Sequence, residues 1–162
     1  MGYYDKYSTF SEWGWKTYTG AKDISFDDYV AKSTNAEFYI GTDSQNYSKK
    51  GKKYCVFTTV LVAYVRGNGG NAILASEKTG RLDNLRQRLM LEAMRSLEVG
   101  WYLQDKIRKD QILTIHLDVN ANLRYKSARY KNELVGLVTA QGFNCEHKPN
   151  AWAASSYADG RC

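Results

Sequence analysis

The amino-acid sequence predicts an α/β domain with a five-stranded mixed sheet, its elements running β-β-β-α-β-α-β-α. Three observations carry that prediction. Apolar runs between residues 37 and 79 are joined by short polar turns, which makes an antiparallel meander. After residue 82 the hydrophobic period switches from two to that of a helix. Beyond that helix, strand-like and helix-like segments alternate to the end of the chain, as in crossover α/β folds. At 162 residues, 43% hydrophobic and 25% charged, the chain fits one domain with a buried core. We expect an aromatic-rich extension over 1–24 and the α/β domain over 25–162.

The elements follow in order. Tyr3, Tyr4, Tyr7, Phe10, Trp13, Trp15 and Tyr18 crowd the first residues; such rings either pack on the domain or offer a platform for bases. Ser25 is placed to cap a short helix, FDDYVAKS. EFYIGTD (37–43), YCVFTTVLVAYV (54–65) and NAILASEKT (71–79) read as strands, the second buried on both faces, with Arg66-Gly67-Asn68-Gly69-Gly70 as the second turn. Leu82, Leu85, Leu89, Ala93 and Leu97 mark one face of a helix over 82–103. QILTIHLDV (111–119) is a strand, 127–141 a helix, FNCEHK (143–148) a short strand and AWAASSYAD (151–159) a terminal helix, with Asn150 placed to cap it. A right-handed crossover through helix 82–103 brings strand 111–119 parallel beside strand 37–43. The carboxyl ends of those two strands then share one edge of the sheet, where α/β folds bind ligands.

Two acids stand at that edge, Asp43 in Gly-Thr-Asp-Ser-Gln and Asp118 in His-Leu-Asp-Val-Asn. Aspartate is disfavoured inside strands, and each residue taken singly also suits a turn. Together on adjacent strands they repel unless a proton or a cation lies between them. An oxygen-only set favours a hard ion, Mg²⁺ or Mn²⁺. Glu92 lies roughly 60° from the centre of the helical apolar stripe and can reach inward; equally, it can pair on the surface with Arg88 or Ser96. Asp159 lies late in the terminal helix, either a further ligand or part of a frayed end. His116 shares a strand face with Asp118. It either supports the acids or carries a proton, or it is a satisfied core histidine.

This order of elements and acids resembles the ribonuclease H superfamily. More narrowly, GTDSQ, Leu91-Glu92, HLDVN and KPNAWAASSYAD resemble the uncharacterised YkuK-like family of bacterial and phage proteins, over about residues 25–160. The resemblance implies a ribonuclease-H-like fold whose carboxylates hold two divalent metals, with Asp43, Glu92, Asp118 and Asp159 at the matching positions. The short terminal helix departs from the superfamily pattern.

Charge and cysteine usage add context. The net charge of +6 suits a polyanionic partner. Lys49, Lys50, Lys52 and Lys53 follow Asp43; Arg124, Lys126, Arg129 and Lys131 follow Asp118. Both runs suit a phosphate backbone, or else are a solvated hairpin tip and helix face. Cys55, Cys145 and Cys162 have no CxxC spacing, and Cys145 with His147 lacks an evident fourth zinc ligand, so reduced structural cysteines are expected. No apolar stretch is long enough to span a bilayer and the start lacks a signal-peptide core, so the expectation is a cytoplasmic protein with no membrane partner. The function expected is a divalent-metal-dependent nuclease acting on RNA, DNA or an RNA–DNA hybrid by two-metal hydrolysis. The alternatives are a non-catalytic nucleic-acid-binding domain of the same fold, and an interaction module that docks through its aromatic lead.

Overall fold

The structure is a computed structural model that describes residues 13–120, 122, 124–148 and 150–153. Its strands are β1 (Lys16–Thr17), β2 (Glu37–Lys49), β3 (Lys52–Val65), β4 (Gly69–Gly80), β5 (Leu113–Asn120) and β6 (Asn144–Lys148). Its α-helices are α1 (Phe26–Lys32), α2 (Leu85–Gln104) and α3 (Lys131–Ala140), the last preceded by a 3-10 turn at Lys126–Tyr130. They form one sheet in the order β1-β4-β3-β2-β5-β6. β2 is central, antiparallel to β3 and parallel to β5, the placement expected from the crossover rule.

The expectation of five strands is corrected to six. The extra strand is the two-residue β1, paired antiparallel with β4 through Lys16↔Leu74 and Thr17↔Ile73. So short a segment carries no period, and only its pairing with a sheet edge defines it. Beside it, Trp15 is buried, stacked on Trp13 at 6.1 Å and tilted against Phe26 at 5.1 Å. The Arg95 guanidinium covers the Trp13 ring at 4.2 Å. The described rings of the aromatic lead therefore pack on the domain; residues 1–12 lie outside the described residues.

Strand 37–43 is also corrected, because β2 continues six residues beyond Asp43 to Lys49. The residues beyond Asp43 begin with the polar run Ser44-Gln45-Asn46, yet each pairs with β3, down to Lys49↔Lys52. Lys50 and Gly51 close the hairpin with φ of 51° and 77°, the two left-handed positions a two-residue hairpin turn needs. Helix 82–103 starts later than its apolar pattern does. Asn84 accepts from the Gln87 amide as the N-cap, while Leu82 lies outside and exchanges backbone hydrogen bonds with the Asn46 side chain. Helix 127–141 divides into the 3-10 turn and α3.

One face of the sheet packs on the helices: Phe38, Ile40, Leu61, Ile115, Leu117 and Val119 join Leu89, Ala93, Leu97, Leu134 and Val138 in one core. On the other face Val60, Val62, Ala72 and Ala153 form a smaller cluster. Close approach of α2 depends on Gly100, where a Cβ would lie 3.1 Å from the Phe143 ring and 3.4 Å from Ile115 Cδ1. Gly100→Leu is expected to overpack this seam and destabilise the fold by about 1–3 kcal/mol, read as a lower urea midpoint. A midpoint equal to wild type would mean that the seam has slack.

Candidate metal centre

The last parallel pair between β2 and β5 is Gly41↔His116. Asp43 and Asp118 each stand two residues beyond it. Equal offsets of two put both side chains on one face at the same level. Past that pair β2 keeps its partner on the β3 side, Asp43↔Thr58, while β5 shifts register against β6 between Leu117 and Asn120. The two strands therefore part at the acids, leaving space that a continuous ladder would have closed.

The intervening residues of β2 turn to α2. Thr42 Oγ1 lies 2.8 Å from Ser96 Oγ, and Ser44 Oγ donates to Glu92 Oε2 at 2.5 Å. Glu92 is thereby drawn inward from the helix and is buried, as is Asp43. The surface pairing with Ser96 does not occur, because Thr42 takes that hydroxyl. One carboxylate oxygen from each of Asp43, Glu92 and Asp118 lies within 4.8 Å of the others. A cavity of about 10 Å³ lies among Thr42, Glu92, Ser96, His116 and Asp118, roughly the room a single water needs.

The electrostatics are costly in a specific way. Burial pushes the Glu92 carboxyl well above the ordinary glutamate value of 4.5; the Ser44 hydrogen bond opposes this, Asp43 and Asp118 add to it, and Arg88 opposes it. Asp118 Oδ1 is buried and accepts no hydrogen bond among the described residues. Its compensation is the ion pair with Lys148, whose Nζ lies 2.5 Å away. Three converging carboxylates, Asp118 among them paired to a lysine, are a donor set that a hard divalent cation fits. The sequence reading had passed over Lys148. The available signal was its position at the end of the strand that flanks β5.

His116 is a satisfied core histidine. It is 2% exposed and packed against Tyr39 and Trp152, each with its centroid 5.0 Å away. Its Nδ1 accepts from the backbone amides of Trp152 at 3.2 Å and Ala153 at 3.1 Å. These are the amides that a cap at Asn150 would have served, so the histidine holds the start of the terminal segment in its place. Two amides aimed at Nδ1 require that nitrogen to be unprotonated, and burial lowers the imidazole to about 4. Both features oppose a proton-carrying role near neutral pH. Asp159, like Cys162, lies outside the described residues.

The basic residues fall into two groups. Lys49, Lys50, Lys52 and Lys53 sit exposed at the β2–β3 hairpin tip, about 20 Å along the strand from Asp43 at the usual rise per residue. Arg124, Lys126 and Arg129 line a cavity between the 3-10 turn and the start of α2, and Lys131 opens α3. Of the cysteines, Cys55 is buried and Cys145 partly so, both free thiols; burial pushes Cys145 up to about 11. Among the described residues no helix is long and apolar enough to cross a membrane.

A mixed sheet with β2 and β5 parallel at its centre, and acids from both strands and from the packed helix meeting at their edge, defines an acidic-cluster α/β protein. The family model described as Ribonuclease H-like matches residues 24–161, and the chain belongs to that family. It is also similar to "Uncharacterized protein YkuK" of Bacillus subtilis (strain 168), 27% identical over 148 residues that cover 81% of this chain and 83% of the relative.

Proposed function

We propose that the chain is a divalent-metal-dependent nuclease that hydrolyses phosphodiester bonds of RNA, DNA or an RNA–DNA hybrid. The observation that carries this reading is the convergence of Asp43, Glu92 and Asp118 within 4.8 Å, in a chain of the Ribonuclease H-like family. In this reading those three hold Mg²⁺ or Mn²⁺ and Asp159 completes the set. Bound there, such cations would supply Lewis-acid activation of a water and charge stabilisation of the leaving oxygen. Asp43, on the central strand β2, would be the ligand shared by the site. Ser44 keeps the Glu92 carboxylate turned into the site through its hydrogen bond. Lys148 holds Asp118. Glu92, whose proton affinity burial raises, would have to be ionised to hold a cation. Binding alone does not call for this cluster, since three carboxylates beside phosphates would repel them. The test is incubation of labelled RNA, DNA and hybrid with Mn²⁺ or with EDTA. Cleavage of at least one substrate with Mn²⁺ and none with EDTA is expected; no cleavage of any of them rejects the reading.

The two basic groups are assigned to the phosphate backbone. Replacing Lys49, Lys50, Lys52 and Lys53 by Ala is expected to weaken oligonucleotide binding equally across sequences. The slope of log affinity against log salt should become shallower by up to about 3. An unchanged slope would make the hairpin tip merely solvated.

A further inference from the structure

The 3-10 turn after β5 and the first residue of α2 enclose an open cavity of about 700 Å³, lined by Arg124, Tyr125, Lys126, Arg129, Tyr130 and Leu85. We infer that this cavity seats one unpaired base of a single-stranded nucleic acid, with Tyr125 as the stacking face and the three cations on the flanking phosphates. The inference names a substrate class for the proposed nuclease and rests on that reading for the strand's path past the acids.

Four observations carry it. Tyr125 is 51% exposed, and among the described residues its ring has neither an aromatic partner nor a side-chain hydrogen bond. Tyr130 and Leu85, by contrast, are packed against the core, so one wall is fixed and apolar while the opposite ring is free to adjust. Arg124, Lys126 and Arg129 make no ion pair among the described residues. Glu133, four residues on from Arg129 in the chain, is already held by Arg86. A free aromatic face, an apolar wall and three uncompensated cations are the two halves of a nucleotide, base and phosphate, in complementary form. Bases in a duplex have their faces covered by their neighbours, so this chemistry selects unpaired ones.

The location is also suitable. Leu85 and Glu92 are seven residues apart on one helix, about 10 Å along its axis, within reach of a nucleotide or two. Arg124 lies four residues in sequence beyond Asn120, the end of the strand that carries Asp118. A strand running over the acids would thus place a neighbouring base at Tyr125.

The experiment uses the full chain in EDTA and compares two labelled single strands of equal length, one with bases and one abasic throughout, by fluorescence anisotropy. Wild type is expected to prefer the base-bearing strand by at least about fivefold, the effect of stacking a single base. Tyr125→Ala should remove that preference without changing abasic affinity, Tyr125→Trp should keep it, and Arg129→Ala should weaken both strands alike. A preference untouched by Tyr125→Ala overturns the inference, as does equal weakening of both strands or the absence of single-strand binding. The nuclease reading is judged separately. A Tyr125-dependent base preference without Mn²⁺-dependent cleavage would sink that reading and keep this site; cleavage with a preference indifferent to Tyr125 would do the reverse.

Discussion

Asp43→Asn is expected to reduce Mn²⁺-dependent cleavage by roughly a thousandfold, equivalent to about 4 kcal/mol of transition-state stabilisation, while the protein stays folded. The substitution keeps the size of the side chain and leaves the backbone pairing Asp43↔Thr58 untouched. What it removes is the negative charge that the proposed metal site would draw from this ligand. Stability should hold or rise, because Asp43 is one of the charges that oppose ionisation of buried Glu92. Nucleic-acid binding without metal should also hold or tighten, since one charge repelling phosphate is gone. The measurement pairs cleavage rates in Mn²⁺ with thermal melting for wild type and variant. Cleavage at the wild-type rate would show the acid to be structural; a collapse in melting temperature would show that its charge serves the fold.

The second large effect concerns pH and stability. His116 has its folded-state value lowered to about 4 from an ordinary 6.5. Between those values the unfolded chain binds a proton that the folded chain does not, so stability rises with pH across this window. The contribution is complete above about 6.5 and is lost as the pH falls toward 4, amounting to about 3 kcal/mol. The cause is burial of the ring; protonated Nδ1 would in addition face the amides of Trp152 and Ala153 instead of accepting from them. Urea unfolding of wild type at pH 7 and pH 4.5 is compared with the same pair for His116→Gln, which retains an acceptor but does not titrate. The variant should lose most of the difference between the two conditions. If both proteins respond alike to pH, the ring is not the group that titrates.

Much of this molecule was legible in its sequence, and the misreadings have local causes. The central placement of β2 followed from short meander connections and a handed crossover, rules that need only element order. Asp43 and Asp118 stood out because aspartate is uncommon in strands. By the same logic the strand was ended at Asp43, in polar GTDSQ, and the far half of β2 was missed; the long partner β3 overrides the weak strand preference of the residues beyond. β1 was missed because two residues carry no period. Glu92 was left between surface and site, since helical angle alone does not say that Ser44 will supply a hydrogen bond to draw it in.

What the sequence determined by itself is the kind of sheet, the order of its elements and the residue types able to hold a hard cation. These follow from periodicity, turn length and side-chain chemistry, which are properties of short stretches of chain. Tertiary structure alone decided that β2 and β5 stop pairing at Gly41↔His116, two residues short of both acids. It alone set Lys148 against Asp118 and aimed two amides at His116. Those features depend on where separate elements end relative to one another, and that is settled by packing of the whole core and not by any local preference.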